Sequence, residues 1–221
     1  MSALNTGAKS RLTRCDLGRF PSDTLFDRLA RAVCEAECLP RKELYEAWEL
    51  ARRVRRLFRG GRVIDLGSGH GLLAHVMLLL DDTSPCAIAV DKVHPPAHER
   101  LHGVLSCEWP RLAGRVTFVT SELDKVEICA ADLVVSSHAC GTLTDVVLNV
   151  AAQARARVAV LPCCHDFDAC DDGGLTGWVD AALAIDIQRA RRLQQEGYRV
   201  WTRTIPGAIT PKNRLLIAAP R

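Results

Sequence analysis

The chain has 221 residues, a formal net charge of +3 and ten cysteines. This length suits one α/β domain with a small appendage. The longest apolar run, Leu72 to Leu80 interrupted by His75, is too short to span a bilayer, and residues 1–14 lack the apolar segment of a secretion signal. We therefore expect a soluble, cytoplasmic protein without a membrane partner, whose cysteines are reduced thiols rather than a disulfide framework.

Two helices are predicted before the first strand. Residues 1–20 lack clear periodicity and are expected to form a flexible arm. Apolar residues then recur every fourth position from Leu25 to Val33, and a second apolar stripe follows Pro40 and runs to about Phe58. We assign residues 21–59 to an N-terminal helical cap that helps to shape the opening for a substrate.

The second helix ends in a run of arginines. They are Arg52, Arg53, Arg55, Arg56 and Arg59, and Arg62 follows. Such a cluster can bind phosphate groups. A solvated helix C-terminus also favours cations, because they interact well with the helix dipole. The sequence leaves both interpretations open.

The most informative stretch is Arg62 to Gly71. A β-branched run ends at Asp65, glycines occupy every second position from Gly67 to Gly71, and an apolar helical run begins at Leu72. This pattern indicates a strand, a tight turn and a helix N-terminus, where the backbone can approach a polar ligand. Leu72 replaces the third glycine of the dinucleotide fingerprint, and the phosphate-loop motif with its lysine is absent from the sequence, so neither of those sites is expected.

A second strand, Cys86 to Asp91, ends in a carboxylate that is placed to accept the hydroxyl groups of a ribose. An ordinary strand–helix–strand unit with turn glycines is the alternative. The string Asp65-x-Gly67-x-Gly69-x-Gly71 resembles the first motif of class I S-adenosylmethionine-dependent methyltransferases. The resemblance implies S-adenosylmethionine as cofactor, with contacts from Asp65, Gly67, Ser68, Gly69, Gly71, Asp91 and Lys92.

Five further strands complete the predicted sheet. They cover residues 115–120, 132–136, 158–161, 198–205 and 214–219, with helices between most of them and a hairpin at the end. This order predicts an α/β fold over residues 60–221, with a seven-stranded, mostly parallel, doubly wound sheet whose last strand is antiparallel. The turn after the third strand is where this fold normally contacts adenine, so Glu122 and Leu123 are further cofactor candidates.

The loops after the fourth and fifth strands hold the most reactive residues, at the strand ends where ligands bind in such sheets. They contain Ser137-His138-Ala139-Cys140-Gly141 and Pro162-Cys163-Cys164-His165-Asp166. Together they resemble the methyltransferase branch with tRNA acceptor-stem 2′-O-methyltransferases and methyltransferase-like proteins related to the glutathione S-transferase C-terminal domain-containing protein. The resemblance implies that RNA is the acceptor and that His138, Cys140, Cys163, Cys164 and His165 line the site.

Methyl transfer requires an in-line nucleophile and, for a hydroxyl or protonated amine, a general base. We predict His138 as this base, with a core or helix-capping histidine as the alternative, and His165 with Asp166 as a second acid–base pair. The remaining candidates are Cys140 and Cys163 for catalysis, Ser137 for cofactor binding, and Asp166, Lys212 and Asn213 for substrate binding, the last two in the hairpin loop. A turn with solvated polar residues is the alternative for that loop.

The cysteines of the two reactive loops allow three interpretations, namely zinc ligands, a thiolate nucleophile activated by His165, or packing under the cofactor. We predict no metal, because Cys163 and Cys164 are adjacent and no spaced pair of cysteines accompanies them. The whole sequence favours an S-adenosylmethionine-dependent methyltransferase that acts on RNA. A protein or small-molecule acceptor, or a module that binds the cofactor without catalysis, remains an alternative.

Overall fold

The computed structural model describes residues 5–221, which form six α-helices and seven β-strands. The helices are α1 (Leu25–Ala36), α2 (Arg41–Arg55), α3 (Leu72–Leu79), α4 (Pro96–Glu108), α5 (Leu143–Gln153) and α6 (Ala181–Gln195). The strands are β1 (Val63–Leu66), β2 (Ala87–Asp91), β3 (Val116–Thr120), β4 (Leu133–Ser136), β5 (Arg157–Val160), β6 (Tyr198–Thr204) and β7 (Arg214–Pro220).

All seven strands belong to one sheet with the order β3-β2-β1-β4-β5-β7-β6. Strands β1 to β5 pair in parallel, whereas β7 is antiparallel to both β5 and β6. This confirms the predicted α/β sheet with an antiparallel last strand. The chain order reverses between β1 and β4, and in such sheets the ligand crevice lies beyond the carboxyl ends of the strands at this point.

Helices cover both faces of the sheet. Alternate residues of β1 point to opposite faces, so Val63 joins the core under α1 to α4, whereas Ile64 and Leu66 join the core under α5 and α6. All eight residues of α3 are buried, which explains why every one of them except His75 is apolar. Among the described residues, no helix has the length and apolar character needed to cross a membrane.

The connections before β4 and before α6 have distinct local structures. Strands β3 and β4 are joined by a 3-10 turn at Leu123–Lys125, and no α-helix lies between them within the described chain. Helix α6 begins at Ala181, where Asp180 caps it by accepting a hydrogen bond from the Leu183 N–H at 3.0 Å.

The residues before α1 pack against the domain over much of their length. Leu12 and Phe20 are buried, and the Leu12 N–H donates to the Leu39 carbonyl at 3.1 Å. A bridge between Arg11 and Pro40 extends this contact. The expectation of a flexible arm therefore does not describe residues 11–20, because two apolar side chains anchor them. Residues 1–4 lie outside the described part of the chain.

The arginine run of α2 makes mostly intramolecular contacts. Arg55 is buried and pairs with Asp81 at 2.9 Å, in the loop between α3 and β2. Arg62 pairs with Asp132 at 2.7 Å, just before β4. Arg53 donates to the Thr204 carbonyl at 2.8 Å. These guanidinium groups join α2 and β1 to neighbouring elements, and this role explains the run better than a phosphate-binding patch.

Candidate active site

The loop between β1 and α3 has the backbone conformation that its glycines allow. Gly67, Gly69 and Gly71 have φ angles of +68°, +53° and +78°, which side-chain-bearing residues rarely adopt. At Gly71 space is limiting as well, because a Cβ atom there would lie 2.9 Å from Nδ1 of His98. The loop is tied to the sheet by a hydrogen bond from the Ser68 N–H to the Val90 carbonyl at 3.0 Å.

Asp91 reaches across the end of β1 to this loop. One carboxylate oxygen accepts a hydrogen bond from the Gly69 N–H at 2.8 Å, and the other accepts from the Lys92 N–H at 2.7 Å. The two bonds fix the orientation of the carboxylate while it remains partly exposed. The carboxylate therefore borders the space above the glycine loop, as the sequence predicted.

That space is a crevice of about 140 Å³, here called the glycine-loop crevice. Its walls are Gly67, Gly69, Asp91, Lys92, Leu123, His138 and Leu143. Leu123 and Leu143 supply an apolar wall of the kind that suits an aromatic ring. Glu122 does not line this space, and its carboxylate instead pairs with Lys92 Nζ at 2.9 Å on the surface.

Two buried polar atoms lie beneath the glycine loop without a hydrogen-bond partner in residues 5–221. They are Oδ1 of Asp65 and Oγ of Ser68. The other oxygen of Asp65 accepts from the Ala74 N–H at 3.1 Å, in the first turn of α3. Burial raises the pKa of Asp65 to about 7, and the nearby charge of Asp91 adds to this effect. Unsatisfied buried polar atoms are costly, so they fit a site that receives a polar ligand.

A second cavity of about 390 Å³, here called the lysine cavity, lies next to the crevice. It is lined by Lys9, Pro40, Lys42, Glu43, Glu46, His138, Cys163, Cys164, Thr210, Pro211 and Lys212. The first turn of α2 and the loop between β6 and β7 thus form two of its walls. Lys212 lines this cavity, whereas Asn213 holds the loop together by donating to the Ile205 carbonyl at 2.9 Å.

His138 lines both the glycine-loop crevice and the lysine cavity. Burial lowers its pKa below the usual value for histidine, although the negative charge of Glu43 opposes this shift. The side chain is therefore a neutral imidazole at pH 7. Ser137, the neighbouring cofactor candidate, is buried and lines neither space.

Glu43 and His70 are site residues that the sequence did not predict. Nε2 of His70 lies 2.6 Å from the Glu43 carboxylate, and Nδ1 of His70 accepts from the Leu72 N–H at 3.3 Å. The proton therefore resides on Nε2, and the pair joins α2 to the glycine loop. Burial opposes ionisation of Glu43, but the hydrogen bond from His70 prevails and lowers the pKa of Glu43. The only signal in the sequence is a histidine inside the glycine motif.

The thiols of Cys140, Cys163 and Cys164 lie within 4.8 Å of one another; we call them the cysteine cluster. Sγ of Cys140 is 2.9 Å from Sγ of Cys163, and Sγ of Cys164 is 3.7 Å from Nζ of Lys212. Burial raises the pKa of the Cys140 and Cys163 thiols. The structure thus brings together all three cysteines of the two reactive loops.

The predicted pairing of His165 with Asp166 is wrong. Nε2 of His165 lies 2.8 Å from Asp186 of α6, and the histidine side chain is only 2% exposed. Asp166 instead accepts hydrogen bonds from the N–H groups of Asp168 and Ala169 at 3.2 and 3.1 Å. His165 therefore anchors the loop after β5 to α6, and Asp166 stabilises the following turn.

A cavity of about 830 Å³, larger than both the glycine-loop crevice and the lysine cavity, lies elsewhere, between α6 and strands β6 and β7. Its walls include Leu183, Ile187 and Leu216, and it contains neither the glycine loop nor His138. Volume alone would select this groove. The smaller crevice instead combines the glycine loop with a carboxylate and a histidine, which suit a reaction centre.

Comparison with protein families decides what kind of domain this is. The family model described as "Methyltransferase domain" matches residues 42–167, more than half of the chain. The chain belongs to this family. The matched region runs from α2 to the loop after β5, and it includes the glycine loop, Asp91, His138 and the cysteine cluster. The chain therefore carries a methyltransferase domain, and its glycine loop with Asp91 fits S-adenosylmethionine as the cofactor. None of the curated proteins matches the chain in sequence.

Solved structures share the fold of the methyltransferase at low sequence identity. The pyocyanin biosynthetic protein PhzM is 19% identical with a TM-score of 0.51, over 96% of this chain and 62% of PhzM. An O-methyltransferase family protein from Burkholderia thailandensis is 19% identical with a TM-score of 0.50, over 95% and 63% of the two chains. The B. subtilis tRNA methyltransferase TrmK is 16% identical with a TM-score of 0.51, over 78% and 65%. The chain thus spans less than two thirds of each of these three neighbours, and the likeness concerns the fold alone.

Proposed function

We propose that the chain transfers the methyl group of S-adenosylmethionine to a nucleophile bound in the lysine cavity. The observation that carries this proposal is that His138 lines both this cavity and the glycine-loop crevice. A donor in the crevice and an acceptor in the cavity would meet at the imidazole. Direct transfer between two bound reactants depends on this kind of adjacency.

The residues of the crevice suit the parts of the donor in different ways. Asp91 is placed to accept the ribose hydroxyl groups, and Leu123 with Leu143 would flank the adenine. The backbone of Gly67 to Gly69, with the unsatisfied atoms of Asp65 and Ser68 beneath it, would hold the amino-acid end. S-adenosylmethionine, when bound, supplies the electrophilic methyl group on a sulfonium.

His138 is the general base in this proposal. It is neutral at pH 7, it lines the acceptor space, and it lies near the hydrogen-bonded pair of Glu43 and His70. A hydroxyl or protonated amine must lose a proton as it accepts a methyl group, and a positioned imidazole can accept that proton. Glu43 lies close enough to stabilise the imidazolium that forms.

RNA is the acceptor that we propose first. The lysine cavity places Lys9 and Lys212 beside the ion pair of Lys42 with Glu46, whose atoms are 2.9 Å apart. Lysines that line a cavity attract a phosphate backbone, and a cavity of about 390 Å³ accommodates a single extruded nucleoside. The resemblance of the two reactive loops to RNA-modifying enzymes supports the same choice.

A small-molecule acceptor is the second candidate, because the volume of the lysine cavity also falls in the usual range for small-molecule sites. An acceptor on a protein side chain stays open as well. The division into a helical cap and a catalytic domain, and a cytoplasmic location, remain predictions from the sequence.

An assay with labelled S-adenosylmethionine tests the function. Cell extract is separated into RNA, protein and metabolites, and each fraction is incubated with wild-type protein or with His138→Ala. We expect label in RNA that is lost after ribonuclease treatment and absent with the variant. Label only in metabolites or protein would overturn the RNA assignment. No transfer to any fraction by wild-type protein that binds the donor would overturn the catalytic proposal.

A further inference from the structure

The cysteine cluster is assembled by two neighbouring loops. Cys140 follows β4, and Cys163 and Cys164 follow β5, which pairs in parallel with β4. A hydrogen bond from the Gly141 N–H to the Cys164 carbonyl at 3.1 Å holds the two loops together. Thiols that are 23 residues apart in sequence therefore lie within 4.8 Å of one another.

We propose that the cysteine cluster binds one Zn²⁺ ion through three thiolates. Three thiolates are a soft ligand set that selects Zn²⁺ over hard cations such as Mg²⁺. Zinc–sulfur bonds of about 2.3 Å in a tetrahedron place the sulfur atoms about 3.8 Å apart. Cys140 and Cys163, now 2.9 Å apart, would separate by about 0.9 Å, which a small side-chain rotation achieves.

The surroundings of the cysteine cluster fit a charged metal site. Three thiolates and one Zn²⁺ carry a net charge of −1, and Lys212 lies 3.7 Å from Sγ of Cys164 to balance it. Arg189 is buried, donates to the Gly141 carbonyl at 3.0 Å and pairs with Asp145 at 2.6 Å. This network fixes the loop that carries Cys140. Residues that hold metal-ligating side chains in place in this way increase the affinity for the metal.

Adjacency of Cys163 and Cys164 argued against zinc in the sequence, because most zinc sites use spaced cysteines. The fold changes that argument, because it brings the Cys140 thiol within 4.8 Å of the other two. Cys163 and Cys164 also line the lysine cavity, so the ion would border the space where we place the acceptor. Three protein ligands leave a fourth position for water or an acceptor atom, which is the arrangement of catalytic rather than structural zinc sites.

Metal reconstitution of the full chain tests this inference. Protein is stripped with a chelator, reduced, and titrated with Zn²⁺ alone in competition with a chromophoric chelator. We expect one ion per chain, and affinity at least about a hundredfold lower in Cys140→Ser, Cys163→Ser or Cys164→Ser, since even outer partners contribute roughly 10–100-fold. The exposed Cys107 lies on α4, outside the cluster, so Cys107→Ser is the matched control and should bind as the wild type does.

A second measurement uses only the wild type, so it stands even if a variant fails to fold. Alkylation of the reduced protein is mapped by mass spectrometry with and without Zn²⁺. We expect zinc to protect Cys140, Cys163 and Cys164 but not the exposed Cys107 and Cys129. Equal modification with and without zinc, or a Cys140–Cys163 disulfide that persists with zinc and reductant, would overturn the inference. These measurements read metal binding directly, so they are independent of the proposed methyl transfer.

Discussion

The glycine-loop crevice and the lysine cavity meet at His138 but are built differently. The crevice uses mainly the ends of two consecutive strands, and its key contacts are backbone N–H groups bonded to Asp91. The lysine cavity is lined by side chains from the N-terminal segment, α2, the loops after β4 and β5, and the loop between β6 and β7. The crevice therefore depends mostly on local sequence, whereas the lysine cavity depends on elements that only the complete fold brings together.

Removal of the residue shared by both spaces should have the largest effect. We expect His138→Ala to lower kcat by roughly 10²–10⁴-fold, which is the usual contribution of a general base, and to leave the Kd for S-adenosylmethionine within a few-fold. Single-turnover kinetics and calorimetry measure the two quantities. As a control, His165→Gln should reduce stability but not act on chemistry, because His165 contacts Asp186. A larger kcat loss in His165→Gln than in His138→Ala would contradict this assignment.

Asp65 should make the stability of the donor-free protein dependent on pH. Its pKa is raised to about 7 by burial, so folding favours the protonated form, and the resulting stability is lost as pH rises through 7. Relative to Asp65→Asn, the wild type should lose about 2–3 kcal/mol between pH 5 and pH 8. Urea unfolding at both pH values measures this loss. If the free energy of unfolding changes equally with pH in the two proteins, burial does not raise the pKa of Asp65.

Substitution of Asp91 tests the proposed binding of S-adenosylmethionine separately from binding of the acceptor. Asp91→Ala should weaken S-adenosylmethionine binding by roughly 10–100-fold, because hydrogen bonds to a charged group contribute about 1.5–3 kcal/mol. The variant should leave binding of the acceptor unchanged. Asp124→Ala, in the exposed turn after β3, is a suitable control. Calorimetry that finds equal donor affinity in both variants would remove Asp91 from the donor site.

Glycine substitutions separate backbone strain from steric contact in the same loop. Gly71→Ala should cost about 1–3 kcal/mol for its left-handed conformation and more for the contact with His98. Gly69→Ala has the same kind of backbone strain, but a Cβ atom there meets open space, so it should cost less. Urea unfolding ranks the two, and a greater loss in Gly69→Ala would contradict the close approach of His98 to the loop.

The smallest effect on activity is expected when one lysine of the lysine cavity is replaced. Lys212→Met should raise KM for an RNA acceptor by roughly 3–10-fold and reduce the dependence of KM on salt, because one phosphate contact is lost. Lys125→Met removes an exposed lysine outside both spaces and should change little. Equal effects of the two substitutions would indicate general electrostatic attraction rather than a contact in the lysine cavity.

The contrast between the glycine-loop crevice and the lysine cavity also explains which features the sequence could predict. Local patterns predict where the strands lie along the chain, the glycine loop, Asp91 and the two reactive loops. They do so because β-branched runs, alternating glycines and strand-end polar residues act through their immediate neighbours. The structure places Asp91, Lys92, Leu123 and His138 around one crevice in agreement with these patterns.

The failures involve contacts between distant segments. Glu43 lies on α2 and meets His70 only when that helix packs beside the glycine loop. His165 turns toward Asp186 because α6 covers the loop after β5. Spacing along the chain cannot reveal such pairs, since either partner alone has the appearance of an ordinary surface residue.

A crystal structure with bound S-adenosylhomocysteine would show directly where the donor lies. We expect the product in the glycine-loop crevice, with its ribose within hydrogen-bonding distance of Asp91 and its sulfur facing His138. Product bound in the groove between α6 and strands β6 and β7, or bound in the crevice with Asp91 turned away from the ribose, would contradict the proposed donor site.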